Sequence, residues 1–192
     1  LLFATLYSCE KPFSYDPTDI PAFVGLDAPA DGEGFQVHVP PFPVPAKYER
    51  EFFMRMPIGN TTDIYVDKFS SRCRPGTHHL IAYGYGDENA ATNPPIGVMR
   101  DQNLSDGQGN FGLTMGSGAI YYLTQVPNYE LQLPAGTAIK IPANATIDLN
   151  SHYFNVTEET RFGEVFLNFH TVALDSALET LVVDDIDNDD EL

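Results

Sequence analysis

Short stretches of alternating apolar and polar residues, each closed by a turn bearing Pro or Gly, run along most of this chain, and no convincing amphipathic helix interrupts them. Alternation predicts strands at Phe35–Val39, Glu49–Met56, Asp63–Phe69, Thr77–Gly84, Ala119–Gln125, Thr137–Ile141, Ala145–Phe154 and Gly163–Val172, with a weaker one at Leu178–Val183. Pro40–Pro45, Pro57-Ile58-Gly59-Asn60, Arg74-Pro75-Gly76 and Leu133-Pro134-Ala135-Gly136 supply the backbone angles that turns require. So many short strands in succession predict an all-β sandwich, and an aromatic content of 12% with 15 Gly and 15 Pro agrees. At 192 residues the chain is long enough for one domain with a full core. Asp87–Gly118 is expected as the largest loop, and no internal repeat is evident.

A net charge of -17 argues against nucleic acid as a partner, because an acidic surface repels phosphate instead of releasing its counterions. The two cysteines, Cys9 and Cys73, are too few for a disulfide framework. The apolar run Leu1-Leu2-Phe3-Ala4-Thr5-Leu6, leading into Tyr7-Ser8-Cys9, resembles the end of a bacterial lipoprotein signal, in which the cysteine is the lipid-attachment site. That resemblance implies a chain exported and lipid-anchored to a bacterial membrane, at the periplasm or cell surface. The alternative is a first strand with a buried cysteine. The expected organisation is a signal remnant at 1–8, a tether rich in Pro, Asp, Gly and Ala at 9–33, a sandwich at 34–174, and an acidic linker or the start of a further domain at 175–192. Asp185, Asp187 and Asp189 alternate as in a calcium loop, but Asp190 stands where its glycine belongs and the later Glu is missing, so a solvated linker is expected.

Five histidines occur, and three of them are placed as metal ligands on predicted strands: the adjacent His78 and His79, and His152. Neutral imidazole binds copper, zinc, iron and nickel, and three imidazoles with no nearby thiolate or paired carboxylate suit copper or zinc best. On its strand His152 shares the polar face with Asp148 and Asn150. Adjacent residues of a regular strand point apart, so His78 and His79 can reach one ion only where the strand begins and twists or bulges. Pro75-Gly76 provides such a start. Acid should release a metal held this way as the imidazoles protonate, near or below about pH 6.5.

Three blocks carry a family resemblance: Tyr48-Glu49-Arg50-Glu51-Phe52-Phe53-Met54-Arg55-Met56-Pro57, Asp63-Ile64-Tyr65-Val66-Asp67-Lys68-Phe69, and Gly76-Thr77-His78-His79-Leu80-Ile81-Ala82-Tyr83-Gly84. A fourth runs from Tyr129 to Pro142 and is followed by Leu149-Asn150-Ser151-His152-Tyr153. Together they resemble the amino-terminal domain of the copper type II, ascorbate-dependent monooxygenases, which include peptidylglycine α-hydroxylating and dopamine β-monooxygenases. The resemblance spans roughly Phe35 to Val172. It implies an antiparallel, jelly-roll-like sandwich of about eight or nine strands, with His78, His79 and His152 as the ligands of an electron-transfer copper. In the family a second sandwich carries the other copper, where oxygen is activated and a C–H bond hydroxylated, and each turnover draws one electron from each copper. An ascorbate-like donor and the missing second copper domain are thus the implied partners. This fragment alone is expected to bind copper and to hydroxylate nothing. The animal enzymes also carry several disulfides that two cysteines cannot supply, which makes bacterial relatives the closer comparison.

A different class of function remains open: a non-catalytic cell-surface sandwich that binds carbohydrate, peptide or protein, since folds do not fix functions. A histidine-ligated zinc hydrolytic site is a third, weakened because no general base is evident near the His pair. Of the other residues, His170 and His38 are expected to be structural, and Met54 and Met56 to be core packing rather than thioether ligands. Cys73 between Arg72 and Arg74 is expected to be inert for want of a resolving thiol. Gly84-Tyr85-Gly86 lacks the helix of a phosphate loop and is expected as a turn. Sequons begin at Asn60, Asn103, Asn144 and Asn155, and are expected to mark exposed turns. No serine-hydrolase elbow or zincin helix motif is present.

Overall fold

The computed structural model describes residues 15–85, 93–101, 119–174 and 179–181. The strands among them are β1 (Gly34–Val44), β2 (Tyr48–Pro57), β3 (Ile64–Cys73), β4 (Thr77–Tyr85), β5 (Met99–Asp101), β6 (Ala119–Thr124), β7 (Asn128–Gln132), β8 (Thr137–Ile141), β9 (Thr146–Asn155), β10 (Arg161–Val172) and β11 (Glu179–Leu181). One sheet has the order β1-β10-β3-β8-β11, with β7 also pairing β3, and the other has the order β5-β2-β9-β4-β6. The antiparallel pairs β1 with β10, β2 with β9, β3 with β8 and β4 with β6 nest the chain inward from its two ends, which is the winding of a jelly roll. β11 adds to β8 in parallel.

Each predicted strand forms, Thr137–Ile141 with the expected ends and the others with shifted ones. Two short strands carried too little pattern to be foreseen: β5, within the expected Asp87–Gly118 loop, and β7, whose residues are mostly exposed. Pro40–Pro45 is not simply a turn. β1 continues to Val44 through a register shift between Val39 and Phe42. Proline is tolerated there because β1 is the edge of its sheet, so a missing N–H breaks no ladder on its open side. Gly84 and Tyr85 likewise close β4 instead of forming a turn. Cys9, the signal remnant at 1–8, the sequon at Asn103, the acidic run Asp184–Glu191 and most of the expected loop lie outside the described residues.

The core lies between the sheets. Val39, Phe42, Val66, Phe69, Val165, Leu167 and Phe169 meet Phe52, Leu80, Ala82, Ile147, Leu149 and Tyr153, all buried. Each of the Val, Leu, Ile and Phe side chains contributes roughly 1.5–3 kcal/mol when buried, so these two faces fix how the sheets sit on each other. The described part of the tether, from residue 15, carries one 3-10 turn at Pro17–Asp19, and from 23 onward it lies on the outer side of the six-stranded sheet. Arg72 donates to the carbonyls of Val24 and Gly25, Gln36 to that of Leu26, and Asn168 to that of Asp27. Phe23 packs near Phe166, under the Arg74 guanidinium.

β9, central in the five-stranded sheet, is buried on both faces. Its inner residues Ile147, Leu149 and Tyr153 join the core, while Asp148, Asn150 and His152 form the outer, polar row that alternation predicted. That row is covered as fully as the core, Asp148 and Asn150 being 0% and 1% exposed. Asp148 is held by Arg100 at 2.5 Å, yet burial outweighs the guanidinium and raises its carboxyl above the usual range. Arg100 lies over Phe53, and Arg55 over Tyr85.

Candidate metal centre

His78, His79 and His152 meet on the outer face of the five-stranded sheet. The register explains how. Thr77 pairs with Tyr153 and His79 with His152, so two steps on β4 match one on β9, and His78 is the extra residue of a bulge. Gly76 precedes it at φ +102°, a conformation side-chain-bearing residues rarely adopt. The bulge therefore rotates His78 onto the face of His79, as two adjacent ligands require.

The three Nδ1 atoms form a nearly equilateral triangle. They are 3.2 Å apart from His78 to His79, 3.3 Å from His78 to His152, and 3.4 Å from His79 to His152. The point equidistant from all three is about 1.9 Å from each, close to the ~2.0–2.1 Å of a metal–imidazole bond. The opposite ring nitrogens settle the tautomers. Nε2 of His152 is 2.7 Å from Oε1 of Glu49, and Nε2 of His79 is 2.7 Å from Oδ1 of Asn150. The Asn150 amide is oriented by its donation to Glu51 Oε1 at 3.1 Å, so its oxygen must face His79. Both imidazoles thus donate from Nε2 and aim Nδ1 lone pairs at each other, an arrangement that repels itself unless a cation or proton lies between. The donor set and spacing fit a metal ion.

Burial, with the neighbouring imidazoles, holds the His79 pKa below the ordinary histidine value, so its ring resists protonation. Glu49 and Glu51 contact the Nε2 side of the rings, away from the convergence point. They can orient ligands and raise their basicity, but are not aimed at an ion-bound water as a general base would be. The third ring differs. His78 is exposed, its Nε2 has no hydrogen-bond partner among the described residues, and it is steadied by Phe154, whose ring lies edge-on at 4.9 Å and also meets His152 at 4.6 Å.

Glu49, Glu51, Asn150 and Phe154 were not singled out by sequence reasoning. Asn150 was placed on the face of His152, but Glu49 and Glu51 become neighbours only through the β2–β9 register, which pairs Glu51 with His152 and Glu49 with Phe154.

The remaining candidates stand elsewhere. His38 stacks on Phe166 and bonds Glu164 at 3.1 Å, and His170 bonds Ser70 at 3.1 Å, both on the other sheet and in structural roles. Met54 and Met56 pack against the core. Cys73 is buried and its thiol pushed up to about 12, so the flanking arginines do not activate it. Asn144 lies in an exposed turn, but Asn60 is half-buried after β2, donating to the carbonyls of Thr62 and Pro142, and Asn155 does not mark an exposed turn either. It ends β9, buried, and donates to the carbonyls of Val44, Pro45 and Glu159.

In comparisons with known proteins, the chain matches no family model, and no characterised protein matches it at a significant level.

Proposed function

We propose that this chain is the amino-terminal, electron-transfer copper domain of an ascorbate-dependent copper monooxygenase, exported and anchored through a lipid at Cys9, with a second copper domain completing the enzyme. One observation carries the reading: three Nδ1 atoms from β4 and β9 converge within 3.4 Å of one another, with two of their rings locked by hydrogen bonds at Nε2. His78, His79 and His152 would hold the ion, and copper there would supply one-electron chemistry, alternating between divalent and monovalent states. Glu49 and Asn150 keep two of the imidazoles neutral at Nδ1 and fixed in direction, so the ligand set need not rearrange between charge states. The sandwich excludes water from the inner side, and the exposed edge of His78 leaves one approach open.

Metal analysis of the purified protein, with the electron paramagnetic resonance spectrum of its copper(II) form, tests this. The expected result is one copper per chain, with imidazole nitrogen couplings that disappear in His78→Ala, His79→Ala and His152→Ala. Stoichiometric zinc that copper does not displace, or copper retained in all three variants, would count against the copper reading. A protein that takes no metal would instead be a sandwich used for binding alone.

A further inference from the structure

The turns joining β1 to β2, β3 to β4, β6 to β7 and β9 to β10 lie at one end of the sandwich, the end nearest His78, His79 and His152. Two of those tips are valines open to solvent, Val126 at 47% exposure and Val156 at 77%, and Phe154 is exposed just before the second. On the far side of Phe154 from the histidines opens a cleft of about 240 Å3, lined mainly by apolar groups. Scattered singly, exposed apolar residues need no explanation, but at the tips of one end they form a surface that water serves poorly. The tether leads to the same end. Tyr15 packs edge-on against Phe162 at 5.4 Å, and its hydroxyl donates to the Pro41 carbonyl at 3.1 Å. From there the chain runs along the six-stranded sheet to the opposite end, where the Thr171 N–H donates to the Glu33 carbonyl and β1 turns back. Cys9 precedes Tyr15 by six residues, and an extended chain spans at most ~3.6 Å per residue, so Cys9 stays within about 22 Å of this corner. Charge agrees with the geometry. The four turns hold Lys47, Arg74, Glu158 and Glu159, which balance one another, so the net charge of -17 lies outside them and does not repel anionic headgroups from this end.

We infer that this end of the sandwich rests on the lipid bilayer, with Val126, Phe154 and Val156 dipping into the interface and the exposed edge of His78 opening at headgroup level. The inference rests on the lipid-anchor reading above and adds a second contact to it. Lipidation alone holds a chain near a membrane without orienting it, whereas apolar tips that leave water fix which end turns to the bilayer. Lys47 and Arg161 flank the tips, and both are long enough to keep their charged heads among phosphates while their stems lie along apolar groups. Phe154 touches His78 and His152, so the depth of this contact sets how far the metal centre stands from the lipid.

The chain contains no tryptophan, so a single one placed by mutation reports the contact by its fluorescence. In a Cys73→Ala background Cys9 is the one thiol, and it can be coupled to vesicles of phosphatidylcholine and phosphatidylglycerol that carry a maleimide lipid. The coupling supplies the anchor whether or not cells acylate Cys9. Val126→Trp and Val156→Trp should then shift their emission to the blue and lose intensity to lipids brominated in the acyl chain, while Leu174→Trp, exposed at the opposite end, should do neither. Equal quenching at the three positions, quenching greatest in Leu174→Trp, or none in any variant would overturn the inference. So would a blue shift of Val156→Trp that appears without vesicles and grows with protein concentration, because a second copy would then cover these tips. Acylation is decided separately, by the mass of the Cys9 peptide from protein recovered from bacterial membranes. An unmodified Cys9 there overturns the lipid-anchor reading, and the quenching pattern still decides the surface.

Discussion

Glu49 and Asn150 hold two of the three imidazoles in place, while His78 has no such partner among the described residues. A carboxylate accepting from a ligand's N–H raises the basicity of the opposite nitrogen, so Glu49→Leu should weaken copper binding by about 10–100-fold, read by competition with a chelator of known affinity. Glu49→Gln, which can still accept through its amide oxygen, should recover most of the loss. Protonation gives a second expectation. His79 and His170 both have pKa values lowered in the folded state, chiefly by burial, from an ordinary value of 6.5. Between the lowered values and 6.5 the unfolded chain binds more protons than the folded one. The stability these groups contribute is therefore full above 6.5 and lost as pH falls through their folded values. The urea midpoint of the metal-free protein should fall between about pH 7.5 and about pH 5.5, and His79→Asn with His170→Asn should flatten that fall; an unchanged slope would remove the assignment.

At the scale of elements, the site depends on how β4 begins. The bulge at His78 and the positive φ of Gly76 form one device, because a regular strand would send His78 to the opposite face. An added Cβ at Gly76 would meet Phe154 O at 3.4 Å, an ordinary contact, so the cost of Gly76→Ala is backbone strain and not a clash. It should destabilise the fold by about 1–3 kcal/mol and weaken copper binding at the same time. Thermal unfolding and metal titration of one preparation check both, and loss of stability with undiminished affinity would show that the bulge does not position His78. The strand carrying His152 was readable from sequence because Asp148, Asn150 and His152 alternate with Leu149, Ser151 and Tyr153. β7 was not, because a mostly exposed edge strand such as Asn128–Gln132 shows little alternation.

For the whole molecule, the ligands come from strands 73 and 74 residues apart in sequence, so a bound ion cross-links two central neighbours of the five-stranded sheet. The unfolded chain cannot hold that triangle. Copper should thus raise the unfolding temperature, with about 1.4 kcal/mol gained for each tenfold excess over the dissociation constant. Calorimetry with and without copper measures this, and His152→Ala should abolish the shift. A comparable shift in that variant would place the stabilising ion elsewhere.

Alternation and turn residues by themselves determined all the strands but β5 and β7, the sandwich and the polar face on which His152 stands, because side-chain direction in a strand follows a local two-residue period. Pro75-Gly76 even marked where two adjacent histidines could turn to one side. Only the tertiary structure decided that the three rings meet at 3.2–3.4 Å, that Glu49 and Asn150 select their tautomers, and that Phe154 separates them from an open cleft. Those facts depend on the registers of β2 and β4 against β9. Register between strands remote in sequence is set by packing of the shared core, to which no local pattern gives access.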